Sequence, residues 1–285
     1  MRVLVTNDDG VHAPGLAAIT AALARWADGA HEVVVVAPMA NHSGASAAVG
    51  TVYEREAISY RRVRIPDAEG VPAYGVDAPP ALAVLVGTLG GFGPTPDIVV
   101  SGINLGVNVG RSVLHSGTIG ATLAGAQLGL RGLAVSLRAG SPPEHWSTAA
   151  QVAVAVLPPL CGAPPCTVLN LNVPSVPIDE LRGVRRARIT NAGIVKQASR
   201  GDEDGDGPRA AVGDAEEGEI RLTLGSAIPW LGHLDESEDQ EDDAALIAAG
   251  YAALTPLVGV REDTAARSGE VVRDALARAN RLLGR

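Results

Sequence analysis

Over its first 140 residues this chain alternates short, uninterrupted apolar runs with segments of helical period. Arg2–Thr6 (RVLVT) and Glu32–Ala37 (EVVVVA) are strands with continuous β-branched and aliphatic content, the signature of a strand buried on both faces. Between them Pro14–Trp26 predicts a helix. Leu16, Ile19, Leu23 and Trp26 recur at threes and fours, and Pro14 suits a first turn. The pattern continues with helix Pro79–Leu89, strand Asp97–Ser101, helix Thr118–Leu128, strand Leu133–Leu137, helix Ser147–Leu157 and strand Thr167–Leu171. Such alternation specifies an α/β fold, a mainly parallel sheet with helices on both faces. With 285 residues and 46% apolar content there is enough chain for a sizeable core, which excludes a disordered, collagenous or disulfide-held protein.

Beyond about residue 183 the rhythm changes. A strand is expected at Val184–Thr190, then a solvated Gly/Asp/Glu-rich loop over 199–219, a helix Asp243–Ala249, a strand Tyr251–Thr255 and a helix Ser268–Leu283. The chain therefore reads as one domain, 1–285, with a core over about 1–183 and a carboxy-terminal extension over about 184–285. Residues 200–243 hold 15 acidic and 3 basic side chains, so the formal charge of −9 is local and the remainder balances at +3. That leaves no basic face for duplex nucleic acid. Asp202, Asp204 and Asp206 begin like a calcium loop, but its twelfth position is Val212 where a bidentate Glu is needed. Cys161 and Cys166 are the only thiols and lack a second pair, consistent with small packing residues in a reducing compartment. No secretory h-region and no run of 18 apolar residues is present, so a cytoplasmic protein without a membrane span is expected.

Three segments follow predicted strands, where open α/β sheets gather ligands. In Thr6-Asn-Asp-Asp-Gly10, Asp8 and Asp9 set two like charges side by side. At about 4 Å such a pair costs roughly 4 kcal/mol at an effective dielectric near 20. A hard divalent cation, which prefers oxygen ligands, removes that cost; a pair of solvated turn carboxylates is the alternative. Asn41-His-Ser43-Gly-Ala-Ser46 adds amide and hydroxyl oxygens. Ser101–Gly110 (SGINLGVNVG) and His115-Ser-Gly-Thr118 place glycines, Asn104 and Asn108 before a helix, and Ser116, Gly117 and Thr118 at its amino terminus, a ready anion site. The glycines are spaced G-x3-G-x3-G, which is not a dinucleotide fingerprint. Carboxylates for a cation beside a cradle for an oxyanion are the equipment of metal-assisted phosphoryl hydrolysis. In that chemistry Asp8 or Asp9 orients or deprotonates the attacking water, or attacks as a nucleophile, and His115 serves as general acid or phosphate donor.

VLVTNDDGVHAPG, APMANHSGAS and VSGINLGVNVGRSVLHSGTIGA resemble the signature blocks of the SurE survival-protein family of metal-dependent nucleotidases, with weaker echoes in LNLNVP and GYAALTPL. The resemblance implies a Rossmann-like core, a carboxy-terminal part used in dimers or tetramers, and hydrolysis of nucleoside 5′- and 3′-monophosphates with one Mg²⁺ or Mn²⁺ per subunit. It implies Asp8, Asp9, Ser43 and Asn104 as metal ligands. Asn108, Ser116, Gly117 and Thr118 would contact phosphate, with His115 adjoining.

The chain departs from the family pattern around the second block. Met39, Ala40 and His42 stand where the family carries an aspartate and two arginines, and Asp77–Leu82 (DAPPAL) replaces its GTPADC. The inferred ligands are untouched while their surroundings lose charge. Two further readings follow: a phosphatase acting on a different phosphomonoester in specialised metabolism, or a non-catalytic homologue that binds nucleotide or phosphate.

Overall fold

In the computed structural model, residues 1–26, 30–54, 56–140, 142–191, 195–200, 220–224, 242–260 and 269–276 are described. β1 (Arg2–Thr6) and β2 (Glu32–Pro38) form where the apolar runs predict them, joined by α1 (Pro14–Arg25). Two short strands follow, β3 (Tyr60–Arg62) and β4 (Ala73–Val76). Then come α2 (Pro80–Thr88), β5 (Ile98–Leu105), α3 (Gly117–Gln127), β6 (Arg131–Leu137), α4 (Trp146–Cys161) and β7 (Val168–Val173). β8 (Val184–Arg186), β9 (Val195–Arg200), β10 (Ile220–Leu224), α5 (Asp243–Ala248) and β11 (Ala252–Leu257) complete the named elements.

One nine-stranded sheet runs β3-β4-β2-β1-β5-β6-β7-β11-β8. From β4 to β7 every pairing is parallel; β3 and β11 join antiparallel, and β8 lies parallel to β11. The fold is α/β, as the alternation requires. β8 and β11 come from the carboxy-terminal extension, so that part is built into the sheet. β9 and β10 form a separate antiparallel pair.

The unbroken apolar strands have a direct explanation in the core. Val3, Val5, Val33, Val35 and Val100 face one side, against Leu16, Ile19 and Leu23 of α1 and Leu157 and Leu160 of α4. Their neighbours Leu4, Val34, Val36 and Val99 face the other side, against Leu82 and Val84 of α2 and Ala121 of α3. Each fully buried Val or Leu contributes about 1.5–3 kcal/mol. Both faces being dry, alternation in polarity is lost and the strands read as continuous.

The differences from sequence expectation are local. β5 runs four residues past Ser101, through a register irregularity between Ser101 and Asn104. α4 continues past Leu157 through Pro158 and Pro159, carrying Leu160 into the core. β8 ends at Arg186, short of Thr190, where its pairing with β11 stops. Ser199 and Arg200 belong to β9, so they are not loop; residues 201–219 of the expected loop lie outside the described residues. Of the final predicted helix, 269–276 is helical and the rest lies outside them. Cys161 and Cys166 are both free thiols. Among the described residues no helix is long and apolar enough to cross a membrane.

Candidate functional site

β1 leaves the sheet toward α1 and β2 on one side, while β5 pairs on its other side and leads away toward β6. Diverging connections at the carboxyl ends of adjacent parallel strands open a crevice, the usual ligand position in such sheets. Asp8 and Asp9 follow β1, Asn104 and Leu105 close β5, and the loop carrying Ser43 follows β2.

Backbone bonds set this rim. Asn7 Nδ2 donates to the Gly10 carbonyl (2.9 Å), Val11 N to Pro38 O (2.7 Å) and His42 N to Asp8 O (2.7 Å). The aspartate turn and the loop after β2 are thereby one unit. α3 enters from the opposite wall. Ser116 is its N-cap, its hydroxyl accepting from Ile119 N at 3.2 Å. Gly117 permits close approach: a Cβ there would lie 2.8 Å from Asp8 Cβ. Thr118 Oγ1 donates to Asp8 Oδ1 at 2.5 Å. Gly120 does the same for the loop after β2, since a Cβ there would sit 2.1 Å from the Ser46 carbonyl oxygen. Ser46 in turn donates from N to His115 O (3.1 Å) and from Oγ to Leu114 O (2.7 Å).

Asp8 is buried and Asp9 half-buried. Leu105 N donates to Asp9 Oδ2 at 3.2 Å. Burial pushes the Asp9 carboxyl above its ordinary range; that bond pulls the other way without cancelling it, and the Asp8 charge pushes it up further. Among the described residues neither aspartate is paired with a basic side chain. Asn7 Oδ1 is buried there without a partner. No group of three His, Cys, Asp or Glu side chains suited to a metal occurs among the described residues. A cation held at this rim would draw on two carboxylates and neutral oxygens. An all-oxygen donor set of that kind fits Mg²⁺ or Mn²⁺ and disfavours softer ions.

The structure brings Asp8, Ser116, Gly117 and Thr118 into one cluster and sets Asp9 beside it. Asn104 is half-buried after the β5 irregularity, its Nδ2 donating to Gly106 O at 2.6 Å. Asn108 is clamped: its N donates to Asn172 Oδ1 (2.7 Å) and its Nδ2 to Ser136 Oγ (2.9 Å). Its carbonyl accepts from Asn170 Nδ2 (2.9 Å) and Asn172 Nδ2 (3.0 Å). Ser43 and His115 are exposed, and the Ser43 N–H donates to Asn41 Oδ1 (2.7 Å).

Four supporting residues escape a reading of the motifs. Ser136, Asn170 and Asn172 hold Asn108, and two of them were visible as polar residues two apart on one face of an otherwise apolar strand, LNLNV. The fourth is Asp243, fully buried at the start of α5. Its Oδ2 accepts from Gly110 N (2.9 Å) and its Oδ1 from Thr190 N and Ala244 N (3.0 Å each). No sequence signal links positions 133 residues apart.

Comparison with known proteins follows the same lines. A family model described as survival protein SurE matches residues 3–196. A protein named 5′/3′-nucleotidase SurE from Cronobacter sakazakii is 36% identical over 261 residues, 90% of each chain. One of the same name from Klebsiella pneumoniae is 35% identical over 282 residues, 98% of this chain and 97% of its own. The crystal structure of the SurE protein from Aquifex aeolicus superposes with a TM-score of 0.71 at 24% identity, covering 97% of this chain and all of that one, a likeness of fold.

Proposed function

This chain belongs to the SurE survival-protein family, and from that premise we propose that it is a divalent-cation-dependent phosphomonoesterase hydrolysing nucleoside 5′- or 3′-monophosphates. The relatives' name supports the hydrolase class and the nucleotide substrate. The observation that carries the reading is the 2.5 Å bond from Thr118 to Asp8, which joins the amino terminus of α3 to a carboxylate pair without a basic partner among the described residues.

Asp8, Asp9, Asn104 and Ser43 are the residues that would hold Mg²⁺ or Mn²⁺. When bound, the cation lessens the repulsion between phosphate and carboxylates and acidifies nearby water. Ser116, Gly117 and Thr118 would offer the ester phosphate the dipole of a helix start, with the N–H groups of Gly117 and Thr118 as donors. Ser136 of β6 holds the Asn108 side-chain amide and Asn172 of β7 its backbone N–H, the kind of preorganisation that phosphoryl transfer rewards. Asp9 is the carboxylate more open to solvent and the one whose burial favours holding a proton, so it orients or accepts a proton from the attacking water. His115 protonates the leaving oxygen from the exposed lip.

Purified protein supplied with Mn²⁺ should release phosphate from AMP and stop when chelator is added. Chelator-insensitive hydrolysis, or binding of AMP without hydrolysis across a phosphomonoester panel, would reject the mechanism. A panel preference for a non-nucleotide ester would move the substrate and keep the chemistry.

The reading extends to assembly. The chain is taken as one domain whose extension, residues 184–285, mediates a homodimer or homotetramer. Val184, Ile189, Val258, Val260, Val271, Val272 and Leu276 are large apolar side chains exposed on that part, which supports it. Light scattering giving a 29.0 kDa species would count against it. A cytoplasmic site accords with the free cysteines and is checked by cell fractionation.

A further inference from the structure

A cavity of about 830 Å³, within the size range of small-molecule sites, lies at the edge of the sheet built from the carboxy-terminal extension. Arg185 and Arg186 of β8, Arg188 just beyond it, Leu246 of α5 and Thr255 of β11 line it. Among the described residues it shares none with the rim that carries Asp8 and Asp9. We propose that this cavity is a second anion site, separate from the cradle at α3, and that it takes a small molecule carrying two or more phosphate groups. This holds whether or not the crevice hydrolyses phosphomonoesters.

β8 is the edge strand of the nine-stranded sheet and is exposed along its length. Charged side chains on an open edge discourage pairing with another chain, and that alone would account for the arginines. It does not account for Thr255. That residue lines the cavity and is only 3% exposed, and its Oγ1 is buried without a hydrogen-bond partner. Asn170, opposite it in register on β7, does not take the hydroxyl. The Asn170 Oδ1 is itself buried without a partner, and its Nδ2 donates to Asn108 O at 2.9 Å. A buried hydroxyl is seldom left unbonded. The guest that accepts from it is the one the arginines select, an anion.

The positive charge is available to such a guest. Among the described residues neither Arg185 nor Arg186 is paired with a carboxylate. Asp243, on the helix that supplies Leu246, turns both its oxygens to backbone N–H groups. Tyr251 holds Arg185 in place: the guanidinium lies 4.0 Å over the ring, and its Nη2 donates to the phenol oxygen at 3.2 Å. Guanidinium forks match phosphate oxygens two at a time. Ala187, Ile189, Leu246 and Pro256 set apolar surface beside them, where attraction between charges is less screened. Three guanidiniums exceed what one phosphate group engages, which favours a guest with two or more. The remaining volume leaves room for an organic part.

The test is titration calorimetry on the full chain in chelator, with inorganic pyrophosphate as the probe and orthophosphate and citrate as comparators. Without a divalent cation the Asp8–Asp9 rim repels anions, so the heat reports the arginine cavity. One pyrophosphate should bind per chain, about tenfold more tightly than either comparator. Arg186→Ala, at an exposed position, should weaken binding about tenfold. Thr255→Val should weaken it about fivefold, and Thr255→Ser should recover the loss. Thr118→Val, which alters the α3 cradle, should leave the affinity unchanged. An equal loss in Thr118→Val would put the anion in the crevice and overturn the second site. So would comparators that bind as tightly as pyrophosphate, or an affinity that Arg186→Ala leaves intact. Absence of binding, as when the chain's own acidic run between residues 200 and 243 competes for the arginines, would overturn it as well. Pyrophosphate binding of the expected pattern in a protein that releases no phosphate from AMP would refute the phosphatase reading alone.

Discussion

Two buried aspartates sit at opposite ends of the chain and are solvated by the protein in opposite ways. Asp243 receives three backbone N–H groups, from Gly110, Thr190 and Ala244. Asp8 receives one hydroxyl, from Thr118, and has a second carboxylate as its neighbour in sequence. A carboxylate whose lone pairs are filled by backbone donors is a fastener, joining the loop before α3 to the extension. One that is buried, sparsely bonded and crowded by a like charge is poorly compensated by its own surroundings, and there we propose that the cation binds. Burial alone does not distinguish function from structure; the count and kind of donors does.

That contrast is open to attack. Asp9→Asn should lower phosphate release by about 10²–10³-fold, the usual scale for removing one charge-stabilising group from a site. The same change should raise the thermal midpoint of metal-free protein, because it removes the Asp8–Asp9 repulsion. A large fall in stability without cation would make Asp9 structural and erase the distinction.

Asp243→Ala should do the reverse. It strands the buried N–H groups of Gly110 and Ala244 and the half-buried one of Thr190, and a loss of about 3 kcal/mol is expected in urea unfolding. Activity per folded molecule should fall less than tenfold, since Gly110 is displaced and the α3 cluster is not. Thr118→Val, which keeps the shape and removes one hydrogen bond, should cost about 1 kcal/mol of stability. Activity should drop about tenfold, read as a rise in KM for AMP.

The smallest effect concerns pH. Burial raises the Asp243 carboxyl above its ordinary range, and the three N–H bonds offset this only in part. The folded state then holds that proton more tightly than the unfolded state does. Stability from this group is present at acid pH and declines as pH rises through the raised value. The deficit of Asp243→Asn relative to the native chain should accordingly narrow between pH 4 and pH 7 in urea titrations. A widening deficit would mean that the N–H bonds outweigh burial.

Much of this architecture was legible because both faces of the sheet are dry. Continuous runs such as EVVVVA can be satisfied in few other ways, and α1 and α3 carried their periodicity or caps openly. β3 and β4 were not legible. YRR is exposed along its length and AYGV has four residues with a glycine, so neither carries a buried-strand pattern. At the rim, Asp8, Gly117 and Thr118 announced themselves because charge and chain flexibility are concentrated in short motifs. The clamp on Asn108 was half visible in LNLNV. Asp243 was invisible, since its value depends on N–H groups whose direction is set only once β11 has paired with β7.

β11 runs against its neighbour, so Leu257 lies beside Val168, at the rim where β7 begins. β1 starts on that same rim at Arg2. The first strand is therefore entered, and the last one left, on the side of the molecule remote from the crevice. A support or surface bound at that rim would present the mouth of the crevice outward to passing substrate, which makes this edge the natural one for immobilisation.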